Sequence, residues 1–339
     1  MPARLRAVPP TVLALGLAPL IAGCGGSGGT TTSSSHSAAA HRSHTTHRTA
    51  AATDVRLTYR PLYTLPAPLR DPATAALSGG RFAMVGGLDA ADVSTSEVDV
   101  AGLHGILHTS TLSLAQHDAQ AATLGDKVYV FGGGSATELS HILSYDPTGD
   151  AVTQVGALSV PQSDVAVTQA GSSAYIVGGF DGTNYLNTVV RWQPGSAPVV
   201  VGHLPVGLRY AAVAAAGGGL LIIGGSTPSA ASSAIYRFDL TTHQVRQIGT
   251  LRHPITHGNA AVLGSMVYLV GGRGDLVNAQ TPAVWAISPV TGHVTSAGRL
   301  PTPTSDAAVT TVGGAIVVAG GMSPATTLGS VGELVPASG

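Results

Sequence analysis

The sequence predicts an all-β protein: a six-bladed β-propeller of four-stranded antiparallel blades. Two observations carry the prediction. Six glycine pairs recur, Gly86-Gly87, Gly132-Gly133, Gly178-Gly179, Gly224-Gly225, Gly271-Gly272 and Gly320-Gly321, at intervals of 46, 46, 46, 47 and 49 residues. Each pair follows a short apolar run, such as 127–131, 173–177 or 266–270, rich in β-branched and aromatic residues. A fixed period of this length marks an array of supersecondary units, and four short strands per unit make a propeller blade.

The elements of one unit follow from local signals. The apolar run is too short for a helix and reads as a strand buried on both faces. Seven residues before each pair stands another glycine, Gly79, Gly125, Gly171, Gly217, Gly264 or Gly313. It marks a tight hairpin turn after a first, small-residue strand such as 164–170. The pair itself permits positive φ and close approach of a neighbouring blade. A polar loop follows, then a third strand with an aromatic in four units: Tyr145, Trp192, Phe238 and Trp285. Asp146-Pro147-Thr148-Gly149 is a type I turn signature leading into the fourth strand.

The last unit ends after its third strand, and a spare strand precedes the first unit at 57–66. Leu65 stands where Leu158 and Leu300 stand relative to the next unit. The N-terminal strand is therefore expected to complete the last blade and close the ring. Pro61 cannot donate to a ladder, which puts this strand at a blade's outer edge.

The repeat resembles the Kelch family, most closely at Gly178-Gly179-Phe180-Asp181-Gly182 with Leu186 and Trp192, and next at Gly132-Gly133 with Tyr145-Asp146-Pro147. The resemblance spans about residues 55–336. It departs from the family in the fourth strand, where the usual Trp is replaced by Val, Ala and Gly.

Three segments are expected: a signal at 1–23, a tether at 24–53 and the propeller at 54–339. Arg4 and Arg6 precede a short apolar stretch interrupted by Pro9, Pro10 and Pro19. That pattern is a secretory signal, too short for a membrane span. Its end, Leu20-Ile21-Ala22-Gly23-Cys24, resembles a bacterial lipobox with cleavage before Cys24, the chain's single cysteine. The resemblance implies diacylglycerol and acyl chains on Cys24, export, and anchoring at the outer face of a cell membrane, because two chains suffice for stable attachment. Residues 25–53 are Gly, Ser, Thr, Ala and His without apolar periodicity and read as a solvated linker. His36, His41, His44 and His47 have no closed metal-site spacing. One lysine against fifteen arginines, with abundant Ala and Gly, fits a GC-rich bacterial genome such as an actinobacterial one.

Composition excludes several function classes. Removing 1–23 takes two of the 16 basic side chains and none of the 17 acidic ones, leaving a formal charge of −3. With no basic patch, nucleic-acid binding is not expected. No P-loop, G-x-S-x-G triad or H-E-x-x-H occurs, and no cofactor or metal is expected. A copper radical oxidase of the galactose oxidase type would need a cysteine in the propeller, and there is none.

Chemistry is expected at the channel mouth, where the first strand of each blade begins. Counting fourteen residues back from each pair gives Pro72, with Asp71 beside it, then Asp118, Asp164, Tyr210, His257 and Asp306. The residues just before include Arg70, His117, Ser163, Arg209 and Ser305. A concave mouth with convergent polar groups is the default ligand site. The recurring aspartates also have a structural reading, as caps accepting backbone N–H groups at each strand start. Arg70, His117, Arg209, Tyr210 and His257 break the repeat, which caps would not require.

These features point to a monomeric, surface-tethered binding module for a protein or carbohydrate. Its loops 89–95, 135–139 and 226–233 are poor in the Tyr, Trp and Arg that anchor tight interfaces. The resemblance implies one alternative, a sugar-modifying enzyme of the mutarotase or epimerase type at the mouth, with Arg209 holding a carboxylate and His257 or Asp118 moving protons.

Overall fold

The computed structural model describes residues 56–337. The described residues form 24 strands and no helix. The strands make six four-stranded antiparallel sheets. Blades 1 to 5 occupy 73–116, 120–157, 166–203, 212–250 and 259–299, each with strands in sequential order from the channel outward. Blade 6 takes its three inner strands from 308–336 and its outermost from Leu57–Thr64. The expected closure is thus present. Leu57 pairs with Pro336 and Thr64 with Ser330, with a bulge between Pro61 and Tyr63 where proline cannot donate.

The second strand of each blade is largely apolar because it is covered on both faces; Ser173–Val177, Gly219–Ile223, Met266–Val270 and Ala315–Ala319 are buried at every residue, and Arg81–Val85 and Lys127–Phe131 at all but the first. The core is divided into six apolar clusters, one at each junction between adjacent blades. The third-strand aromatics fill these junctions. Trp192 is 1% exposed and lies 5.0 Å from Tyr129 and 5.4 Å from Phe131 of blade 2. These contacts supply the aromatic packing that the fourth strands lack.

The glycine pairs join neighbouring blades in a repeated way. The second glycine of each pair donates its N–H to a carbonyl in the segment that leads into the next blade: Gly87 to Gln116, Gly133 to Gln162, Gly179 to Leu208, Gly225 to Ile255, Gly272 to Thr304 and Gly321 to Leu69, all at 2.8–2.9 Å. The first glycine, at φ of 61–64°, faces the same carbonyl so closely that a Cβ there would overlap it. Any side chain would push the next blade away, so the sequence beat is the spacing of the inter-blade seams.

Candidate ligand site at the channel mouth

Six residues form a collar at the mouth: Asp71, Asp118, Asp164, Tyr210, His257 and Asp306. All six have φ between 51° and 60°, the left-handed region. That conformation explains the composition. Asp and His are among the side chains that tolerate it, whereas Tyr210 is a strained exception. The collar also corrects the register in blade 1. Pro72 cannot take positive φ, so Asp71 is the equivalent residue, and blade 1 carries one extra residue before its glycine pair.

Backbone hydrogen bonds run around the collar. The N–H of Asp71 donates to Asp306, Asp306 to His257, His257 to Tyr210, Tyr210 to Asp164 and Asp164 to Asp118, at 2.9–3.2 Å. The recurring aspartates therefore do not act as strand caps. Backbone donors are met by backbone carbonyls, and the carboxylates turn to side chains instead.

A second ring surrounds the first. Arg70, His117, Ser163, Arg209, Thr256 and Ser305 each bridge to the residue after a glycine pair: Leu88, Gly134, Phe180, Ser226, Arg273 and Met322. The nine candidate residues named from the sequence thus all reach one mouth, in two concentric rings. Arg273, Phe180, Tyr185 and Thr256 join them and were missed. Arg273 and Phe180 were accessible to the same count, since each directly follows a glycine pair.

Arg209 is the hub of one side. Its Nη2 lies 2.5 Å from Asp164 Oδ2 and donates to the Tyr210 hydroxyl at 3.3 Å. Its guanidinium sits over Phe180 at 4.5 Å, Tyr210 at 4.8 Å and Tyr185 at 5.5 Å, a cation–π enclosure. The Tyr210 hydroxyl donates to Asp118 Oδ2 at 3.1 Å, and its ring stacks on His257 at 3.7 Å. His117 Nε2 approaches Asp118 Oδ2 at 3.6 Å while Nδ1 contacts Ser94 Oγ.

The His257 tautomer follows from its partners. Arg273 Nη2 donates to Nε2 at 3.1 Å, so Nδ1 carries the proton and donates to Thr256 Oγ1 at 2.9 Å. Burial, then Arg273, Arg209 and Arg70, holds its pKa well below the usual histidine value, so it is neutral at pH 7. On the blade 1 side, Arg70 contacts Asp71 at 3.6 Å and Asp92 at 2.9 Å.

The carboxyls are pushed the other way. Burial and then the Asp306 charge raise Asp118 to about 6; burial and then Asp118 raise Asp164 to about 7. Asp71 is raised well above the carboxylate range by burial and by Asp306, and Asp306 is raised by burial. The Asp306 charge raises Asp71 and the Asp118 charge raises Asp164, so across adjacent blades each two carboxyls titrate as a pair. The collar encloses only about 30 Å³. Behind it the channel widens to about 280 Å³ between inner-strand Ala, Thr, Gln and Asn side chains. Among the described residues no group of three His, Cys, Asp or Glu is arranged to hold a metal ion.

The family model for the KLHDC2/KLHL20/DRC7 Kelch-repeats domain matches residues 120–321, more than half of the chain. The chain belongs to the Kelch-repeat family. Among solved structures, the structure of YjhT is similar at a TM-score of 0.66 and 14% identity, over 80% of this chain and 96% of that one. That likeness shows the fold alone. No curated protein matches the chain. Cys24, the signal and the tether lie outside the described residues.

Proposed function

We propose that this Kelch protein is a membrane-anchored extracytoplasmic binding module, held by lipid on Cys24, that takes a protein or carbohydrate ligand at the channel mouth as a monomer. Kelch propellers typically serve as interaction modules. The observation that carries the reading is where the six-fold repeat breaks down. Tyr210 and His257 replace the aspartate that stands in the other four blades, and Arg70, Arg209 and Arg273 stand at adjoining positions with no repeated residue type; all five contact one another or the collar. Strain at Tyr210 supports the same reading, since strained backbone concentrates at functional positions.

A second reading has its own support. Asp118 and Asp164, at about 6 and 7, titrate near neutral pH beside Arg209, as the acid and base of a sugar mutarotase or epimerase would. A glycan array on the protein, followed by NMR of any hit, separates the two. Binding without turnover supports the module, and anomeric or epimeric exchange of the bound sugar overturns it. Metabolic labelling with an alkynyl fatty acid tests the anchor. Label and membrane association are expected to vanish together in Cys24→Ala, and a labelled variant would refute the assignment.

A further inference from the structure

We propose a second ligand site, for a small primary ammonium group, in the cleft between blade 6 and blade 1. The cleft holds about 450 Å³, a volume within the range of small-molecule sites. One wall is the segment 65–69 that leaves the closing strand; the other is the outer half of blade 1.

Asp99 is the reason. It is 8% exposed and lines the cleft. It pairs with Met84 in the ladder, and the residues in that ladder position in blades 2 to 6 are Leu143, Val190, Tyr236, Trp285 and Gly332. Five blades place an apolar residue or glycine there, and blade 1 alone places a carboxylate. A buried carboxylate is costly unless it is compensated. Among the described residues its one hydrogen-bond donor is Thr109, whose Oγ1 lies 2.6 Å from Oδ1. No Arg, Lys or His side chain lines the cleft.

Other groups point the same way. Thr95 Oγ1, in the cleft wall, is buried and has no hydrogen-bond partner. The Tyr63 hydroxyl, buried near enough to feel the Asp99 charge, also has none. Glu97 adds a second acid to the lining, while Asp89 is already engaged by the Ala91 and Val93 N–H groups. An ammonium group has three donors and one positive charge, which matches a carboxylate oxygen, a threonine hydroxyl and an unbalanced negative field. The cleft is opened by the irregular outer strand Gly105–Gln116, whose ladder with Thr95–Gly102 shifts register twice.

The test is an amide NMR titration of the ¹⁵N-labelled protein with 1,4-diaminobutane, with Nα-acetyl-lysine methylamide as a peptide-side-chain mimic, and with 1,4-butanediol as the uncharged control. Both amines are expected to shift residues 94–99 and 109 and to raise the melting temperature, and the diol is not. A response to diaminobutane alone identifies a free amine as ligand; a stronger response to the lysine mimic identifies a lysine side chain. Asp99→Leu, which installs the blade 2 residue, and Asp99→Asn, which keeps the shape and removes the charge, are both expected to fold and to weaken amine binding at least about tenfold. Absence of amine-induced shifts, equal shifts in Asp99→Leu, or a response to calcium chloride in place of the amines would overturn the proposal.

Discussion

Arg209 Nη2 lies 2.5 Å from Asp164 Oδ2, and the Asp164 side chain is 1% exposed while that of Arg209 is 24% exposed. The pair joins the head of blade 4 to the head of blade 3 at the channel mouth. It gives Arg209 a share in stability as well as a place at the ligand site. Removing one partner of a buried pair leaves the other without compensation. Here the cost is tempered, because Asp164 can take up a proton and Arg209 is partly in water. Arg209→Ala is expected to destabilise the protein by about 2 kcal/mol at pH 8 and by less at pH 5. Urea melts at the two pH values measure this, and equal losses at both would contradict the pairing.

The collar carboxyls make stability depend on pH. Asp118 and Asp164 titrate at about 6 and 7 in the fold against an ordinary value of 3.8. Between those values the folded state binds more protons than the unfolded chain, so their contribution falls as pH rises from about 4 to 7. His117, His141 and His257 are depressed by burial and act oppositely, losing stability as pH drops below 6.5. The comparison that isolates the carboxyls is the parent against Asp118→Asn/Asp164→Asn. The parent is expected to lose more melting temperature than the variant between pH 5 and pH 8. An identical pH dependence in both would show that the collar does not titrate in this range.

Glycines of equal φ should differ in cost according to what a Cβ meets. Gly224 at φ 63° faces the Ile255 carbonyl, whereas Gly264 at φ 61° has open space where its Cβ would go. Gly264→Ala adds left-handed strain alone, about 1–2 kcal/mol. Gly224→Ala adds that strain and displaces the next blade, at about 3 kcal/mol or more. Similar midpoints for the two variants in chemical denaturation would remove the steric role assigned to the pairs.

Closure by Leu57–Thr64 covers the outer edge of Ser330–Pro336 and buries Leu57 and Leu65. Deleting residues 54–66 exposes that edge along its whole length and opens the last seam. Aggregation on expression, or a fall in melting temperature of more than about 10 °C, is expected. A truncated protein that melts like its parent would show that the ring holds without the strand.

The family-level architecture was legible in one dimension because its cause is local. A glycine pair is required wherever a carbonyl of the next blade comes within overlap distance, so the seam pattern is written directly into the spacing. The orphan strand at the N-terminus was legible for a similar reason, since a missing fourth strand and a spare one can be counted. The mouth was only half legible. Counting back from each pair located Asp118, Asp164, Tyr210, His257 and Asp306, and in blade 1 it fell on Pro72 with Asp71 beside it, because a one-residue insertion in blade 1 is invisible to a fixed count. Positive φ, which proline cannot adopt, corrects it to Asp71.

Sequence alone determined the number of blades, the strand order, the closure and the ring of unusual side chains. Tertiary structure decided what those side chains do to one another. Asp164 meets Arg209, Tyr210 meets Asp118, and Thr256 orients His257 toward Arg273, because a ring of blades brings together groups tens of residues apart. It also decided that Asp99 is a buried acid in an apolar position. Residue spacing records the repeat, but burial depends on neighbouring blades, and only the folded ring sets which carboxylates lose their water.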